Sequence, residues 1–258
     1  MAKSLRDAQE HREPSGYWHP TQIGKCKRQA ILEHAGIVKN ELDDRSLRVF
    51  WMGNRIHEAL QNLYIATLDI VATESSFRNE EFKVSGRGDM TARDEGGLVA
   101  VEFKSVNSNK FKYGNLPETA HVLQLACSLK WPSACPAEVE DHGSDTAPQC
   151  HLCLATGLLP LPYVGRLVYW SKDDALMEEF VVRLTPEIDQ RIEKEFTDLE
   201  NLYKAYETDG SLPPALDAAD WRIRYCGYSG TGQCCGDSAS VDQPPLLGSD
   251  DSPSESDL

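Results

Sequence analysis

Asp89, Glu102 and Lys104 are the residues whose types and spacing could do chemistry. From Leu98 to Ser105 a period of two places Ala100, Glu102 and Lys104 on one face of a strand, and Val99, Val101 and Phe103 on the other. A carboxylate and an ammonium thus stand side by side on an otherwise apolar strand. Glu81 to Gly88 reads as the preceding strand and Asp94-Glu-Gly-Gly97 as the turn of a β-hairpin. Asp89, at the end of that partner strand, can bring its carboxylate to the same place. An Asp and a Glu converging on one point suit a hard divalent cation such as Mg²⁺ or Mn²⁺, which takes oxygen ligands and keeps waters. A lysine beside such a cation can orient or deprotonate a water, or stabilise charge on a phosphate. An isolated Glu-x-Lys pair is ordinarily a weak surface ion pair. Asp89 at hairpin distance and the apolar frame from Val99 to Phe103 set this one apart.

Other elements must hold this hairpin. Ser46 to Ile70 has helical spacing, with Val49, Met52, Ile56, Ala59 or Leu60, and Leu63 as its apolar stripe, and it carries His57. Upstream, Thr21 is a candidate N-cap for a short helix that contains Cys26, Ala30, Ile31 and Leu32. Pro117 to Trp131 reads as a helix bearing Gln124, with Pro117 in its first turn. Gly165 to Trp170 and Glu178 to Leu184 read as strands. Thr185 then caps a long helix with Pro186 at its first position and Ile188, Ile192, Phe196, Leu199 and Leu202 as the buried stripe. This order predicts an α/β fold with a central mixed sheet flanked by helices.

The chain has 258 residues, enough for one large domain, and a net charge of −15. Such acidity argues superficially against nucleic acid, whose binders carry basic patches. Its distribution softens the objection. Gly236 to Leu258 holds six acidic and no basic residues and Pro132 to Tyr163 four and none, so setting those two segments aside leaves −5 for the body. No apolar run approaches a membrane span, and Met1 to Ser15 is charged and polar, unlike a signal peptide. The expected location is therefore the reducing cytoplasm, where eight cysteines suit metal ligation or burial better than disulfides. Residues 1–15 read as a flexible arm, 16–235 as the domain and 236–258 as an acidic disordered tail. Within the domain, 132–163 reads as an insertion stapled by zinc. Its Cys150-His-Leu-Cys153 knuckle, Cys135, and His142 or His151 supply tetrahedral N/S ligands.

The ordered set resembles the PD-(D/E)xK nuclease superfamily, here as Gly88-Asp89 followed by Glu102-Phe103-Lys104. Thr21-x4-Cys26-x-Arg28 and Gly53-Asn-Arg-Ile-His57 resemble motifs of its RecB-like members that carry an iron–sulfur cluster. That group includes CRISPR-associated adaptation nucleases, AddB-type nuclease domains and phage-encoded relatives. Gln124 matches the family's Q-x3-Y glutamine, although Ser128 stands where the tyrosine would be. Trp221 to Cys235 resembles the C-terminal cysteine cluster, with Ile223 in place of its first cysteine.

The resemblance implies a restriction-endonuclease-like core and metal-dependent hydrolysis of DNA phosphodiester bonds, as an exonuclease on ends or single strands. Asp89, Glu102, Lys104 and Gln124 would be catalytic, and His57, Asp89 and Glu102 would hold Mg²⁺ or Mn²⁺. Cys26, Cys226, Cys234 and Cys235 would hold a 4Fe–4S cluster, although thiolate quartets also accept zinc. Partners would be DNA and the proteins of recombination, repair or CRISPR adaptation. The alternative is a catalytically silent DNA-binding subunit of such a complex; a zinc-stapled interaction protein is a third.

Overall fold

The computed structural model describes residues 15–134, 161–217, 219–220, 222–223, 226–229 and 234. The proposed insertion ligands Cys135, His142, Cys150, His151 and Cys153, together with Cys235, the arm before 15 and the tail after 235, lie outside the described residues.

A five-stranded sheet runs in sequence order from one edge to the other. Its strands are β1 (Asp69–Asn79), β2 (Val84–Asp94), β3 (Gly97–Val106), β4 (Val164–Ser171) and β5 (Met177–Val182). β3 and β4 pair in parallel and the other neighbours are antiparallel, so the sheet is mixed. A parallel pair needs a crossover, and here it includes α3 (Ser108–Tyr113) and α4 (Thr119–Lys130). α1 (Lys27–His34) and α2 (Asp44–Ile65) precede the sheet, and α5 (Pro186–Asp209) follows it.

Strand alternation divides the core into layers. Ala100 and Leu167 face α4, where they pack with Leu125 and Leu129. Val99, Val101 and Phe103 face α2 and pack around Leu60 with Met90, Ala92 and Val168. Gly165 lets α4 approach closely: a Cβ there would stand 2.7 Å from Leu125 Cδ2. Beyond α4, the stripe Ile192, Phe196 and Leu199 of α5 is buried with Ile31, Ala126 and Trp131. The result is an α/β core with a mixed sheet between helical layers, as the order of elements predicts, and it is consistent with the restriction-endonuclease-like core that the resemblance implies.

Caps appear where side chains can satisfy the free amides of a first turn. Thr185 Oγ1 accepts from Ile188 N at 3.3 Å with Pro186 next to it, as expected. Asp43 and Asn107 do the same for α2 and α3 at 2.7 Å each. Thr21 does not cap α1: it sits in a 3₁₀ turn, Pro20–Gln22, and Cys26 occupies the cap position.

Three further expectations are corrected. The helix expected to reach Ile70 ends at Ile65, and Asp69–Asn79 is instead the first strand. The hairpin's first strand begins at Val84 and continues to Asp94, so Asp89 lies inside β2 rather than at its end. The apolar stripe of α2 is not buried throughout: Val49, Met52 and Leu63 are 47 %, 48 % and 52 % exposed. Leu60, with Ile56 and Tyr64 beside it, makes the packing against the sheet, and the N-terminal half of the helix overhangs a cleft. Among the described residues no helix is long and apolar enough to cross a membrane.

Candidate functional site

β2 and β3 part company at Asp89. Their last paired residues toward this end are Met90 and Val101. Beyond them the Phe103 amide donates instead to the Asp89 carboxylate, Oδ2, at 2.9 Å. The same oxygen meets His57 Nε2 at 3.0 Å, and one turn further along α2 the Gln61 side-chain amide donates to the Asp89 backbone carbonyl at 3.1 Å. α2 is therefore fastened to β2 at Asp89. The hydrogen bond to Asp89 holds His57 above the ordinary imidazole range, with burial opposing it and the charges of Asp89, Glu74 and Glu102 adding to it.

On the adjoining strand Glu102 is 3 % exposed. Its Oε1 receives Lys104 Nζ at 2.6 Å and Gln124 Nε2 at 2.8 Å, while Lys104 also donates to Gln124 Oε1 at 3.0 Å. Three side chains from β3 and α4 thus close a triangle. Burial, and then the nearby Asp89 charge, push the Glu102 carboxyl up to about 7, against the pull of Lys104. Behind them His121 accepts or donates at 2.7 Å to the Tyr169 hydroxyl. Burial holds it down to about 4, with the Lys104 charge acting in the same direction, so it is neutral near pH 7.

One site residue escaped the sequence reading. Glu74 lies opposite Asp89 in the β1–β2 register, at the one step left unpaired between Thr73–Met90 and Ser75–Gly88. Its φ is +54°, a conformation that side-chain-bearing residues rarely adopt. Among the described residues, His57, Glu74 and Asp89 are the set of three metal-ligating side chains whose donor atoms all lie within 4.8 Å of one another. One imidazole and two carboxylates, with Glu102 alongside, fit Mn²⁺ or Mg²⁺ by donor chemistry. Arg87 Nε caps Glu74 Oε2 at 2.6 Å from the neighbouring strand. The only signal in the sequence was an acidic residue within a polar stretch that reads as neither helix nor strand.

Asp89, Glu102, Lys104, Gln124 and His57 all line one cleft of about 1310 Å³. Ser128, four residues after Gln124, does not. It is buried, and a Cβ at Gly88 would stand 3.2 Å from its hydroxyl.

The cysteines gather elsewhere. Cys26 and Cys234 are buried in one cluster with Leu32 and Tyr228, and Cys226 and Ile223 pack against it. The Cys226 and Cys234 sulfurs are 3.4 Å apart. Hydrogen bonds tie the segments 28–40 and 213–229 together around them. Arg28 Nε donates to Pro213 O at 2.9 Å, Asn40 Nδ2 to Ser229 O at 2.7 Å, and Tyr228 OH to Ile37 O at 3.0 Å. Cys26, Cys226 and Cys234 thus share one cluster, but they do not form a set whose donor atoms all lie within 4.8 Å of one another.

No family model matches this sequence, and no curated protein does. Among solved structures, the crystal structure of SSO0001 is similar with a TM-score of 0.52 at 19% identity, over 88% of this chain and 90% of that one. An alkaline exonuclease from Laribacter hongkongensis gives a TM-score of 0.45 at 14% identity, over 79% of this chain and 93% of that one. At that identity the likeness to SSO0001 shows the fold.

Proposed function

We propose that this chain is a RecB-like, metal-dependent deoxyribonuclease that hydrolyses DNA phosphodiester bonds, as an exonuclease on ends or single strands. The observation that carries the reading is the convergence of Asp89, Glu102, Lys104, Gln124 and His57, from β2, β3, α4 and α2, in a single cleft. His57, Glu74, Asp89 and Glu102 would hold Mg²⁺ or Mn²⁺, which would supply Lewis-acid polarisation and a water of lowered pKa.

The side chains do the rest. Lys104 stands 2.6 Å from Glu102 Oε1, so its ammonium meets both a metal-binding carboxylate and any water or phosphate oxygen lying between them. There it orients the attacking water and offsets charge that builds on the phosphate. Gln124 bonds Glu102 and Lys104 at once and fixes the angle between them. The Phe103 amide and His57 leave the Asp89 carboxylate little freedom to turn. Neutral His121 brings no second positive charge to the space behind Lys104.

Cys26, Cys226, Cys234 and Cys235 form, in this reading, the ligand set of a 4Fe–4S cluster that staples the two ends of the chain. Zinc in residues 132–163 belongs to the same proposal. So do cytoplasmic recombination, repair or CRISPR-adaptation proteins as partners.

A silent DNA-binding subunit is the second reading, favoured by Ser128 packed away from the cleft in place of the tyrosine. The two separate on end-labelled single- and double-stranded DNA incubated with Mn²⁺, Mg²⁺ or EDTA. Cleavage that needs the metal supports the nuclease; DNA bound without cleavage under either metal supports the silent subunit.

A further inference from the structure

Among the described residues, none covers the apolar side chains on the N-terminal half of α2. Phe50 is 57 % and Val49 47 % exposed, and both line the cleft. Phe50, Gly53, Asn54 and His57 share one side of the helix, because residues three, four and seven apart align. Gly53 is thus about one turn, and Phe50 about two turns of ~5.4 Å, from His57.

Gly53 leaves that stripe open. A Cβ there would have Ser105 Oγ at 3.7 Å and Lys172 Nζ at 4.0 Å as its nearest neighbours. A hydroxyl and an ammonium therefore lie against bare helix backbone between the Phe50 ring and His57. Ser105 and Lys172 come from the C-terminal ends of the parallel strands β3 and β4, where open α/β sheets place their ligands. Lys172 engages no carboxylate in an ion pair among the described residues. On a chain of net charge −15, an ammonium lining the same cleft as Asp89 and Glu102 is suited to an anion.

Resting on the nuclease reading above, we propose that this strip is a single-stranded DNA subsite. Lys172 and Ser105 receive the phosphate adjoining the one at the metal centre, and Phe50 stacks on the base next along the strand. The ligand is a single strand because a base within a duplex already stacks on its neighbours and has no face free for the ring. A base–aromatic stack is indifferent to sequence, so the subsite grips any strand and adds positioning without base preference.

The test measures binding of a short fluorescein-labelled oligothymidylate in Ca²⁺ by anisotropy, using the full chain. Each oligonucleotide is compared with versions that carry one abasic nucleotide at successive positions. Phe50→Ala is expected to bind the intact strand about tenfold more weakly, the scale of one stacked base. The native protein should lose a similar factor when one particular base is removed, and Phe50→Ala should then lose nothing further on that strand. Phe50→Trp should bind near the native level. Lys172→Gln should weaken binding to all strands alike and flatten the salt dependence.

Because Phe50 is exposed, a melting curve of Phe50→Ala should match the native one. Native affinity for the intact strand in Phe50→Ala, or equal sensitivity to abasic nucleotides at every position, would overturn the subsite. If the native protein still binds and cuts DNA in Mn²⁺, the nuclease reading then stands without it. A native protein that neither binds nor cuts overturns both.

Discussion

Glu102 is a carboxylate held where its charge is costly, and that cost is the residue-scale signature of the site. With its folded pKa raised from 4.5 to about 7 by burial and then by Asp89, the metal-free folded state binds more protons than the unfolded state between those values. Stability contributed by the protonated form is therefore complete below about 4.5 and lost as pH rises through about 7. A divalent cation reverses the penalty, because it needs the carboxylate ionised. The rise in melting temperature on adding Mn²⁺ should be larger at about pH 8 than at about pH 5, as differential scanning fluorimetry would record. Glu102→Gln should raise the metal-free melting temperature at the higher pH and abolish most of the Mn²⁺ effect. An equal Mn²⁺ shift at both pH values would remove Glu102 from the metal site.

At the scale of elements, β1 and α2 decide which residues meet. The hairpin and α5 were legible in the sequence. Alternation from Val99 to Lys104 put Glu102 and Lys104 on the α4 face, and the Thr185-Pro186 start with its stripe at helical spacing marked α5. β1 was not legible. Leu68 and Ile70 follow Leu60, Leu63 and Tyr64 as further apolar residues past the end of α2, and Thr73 to Ser76 carry no alternating apolar residues. A register shift between Ile70 and Ala72 and the positive φ of Glu74 break the period of two as well. Glu74 was lost with its strand. The stripe of α2 misled for the opposite reason: Val49 and Met52 obey the period, but no sheet lies beneath that half of the helix.

The backbone at Glu74 makes a prediction at this scale. A left-handed conformation costs an ordinary residue about 1–2 kcal/mol, and Asn tolerates it better than Ala. Glu74→Asn should therefore be more stable than Glu74→Ala by about 1 kcal/mol in denaturant melts, while both bind Mn²⁺ more weakly than the native protein. Equal stability of the two variants would mean that β1 relaxes its bend once the carboxylate is gone.

Across the whole molecule, the segments 26–40 and 213–234 meet around Cys26, Cys226 and Cys234. Cys26 begins α1 and Cys226 and Cys234 follow α5, so a group bound there closes a loop around nearly the entire core. Closing so long a loop stabilises chiefly by restricting the unfolded chain. The resemblance grouped Cys26, Cys226 and Cys234, and the fold brings these three into one cluster. Their convergence depends on contacts far apart in sequence, such as Arg28 with Pro213, which no local pattern encodes. An anaerobic preparation should contain ~4 iron atoms per chain. Cys226→Ala should lose the iron together with several degrees of melting temperature, while leaving the residues around Asp89 in place. Iron-free native protein with an unchanged melting temperature would dissolve this staple without touching the cleft.

The most direct test of the central claim separates holding DNA from cutting it. Single-turnover cleavage of end-labelled single-stranded DNA in Mn²⁺ would be followed for the native protein and for Lys104→Ala, with DNA and Mn²⁺ affinity measured on the same samples. The account predicts that Lys104→Ala binds both much as the native protein does and cuts about 10²–10³-fold more slowly, the usual scale for losing one group that stabilises transition-state charge. Cleavage by Lys104→Ala at the native rate would contradict it, as would a native protein that binds the strand and leaves it intact.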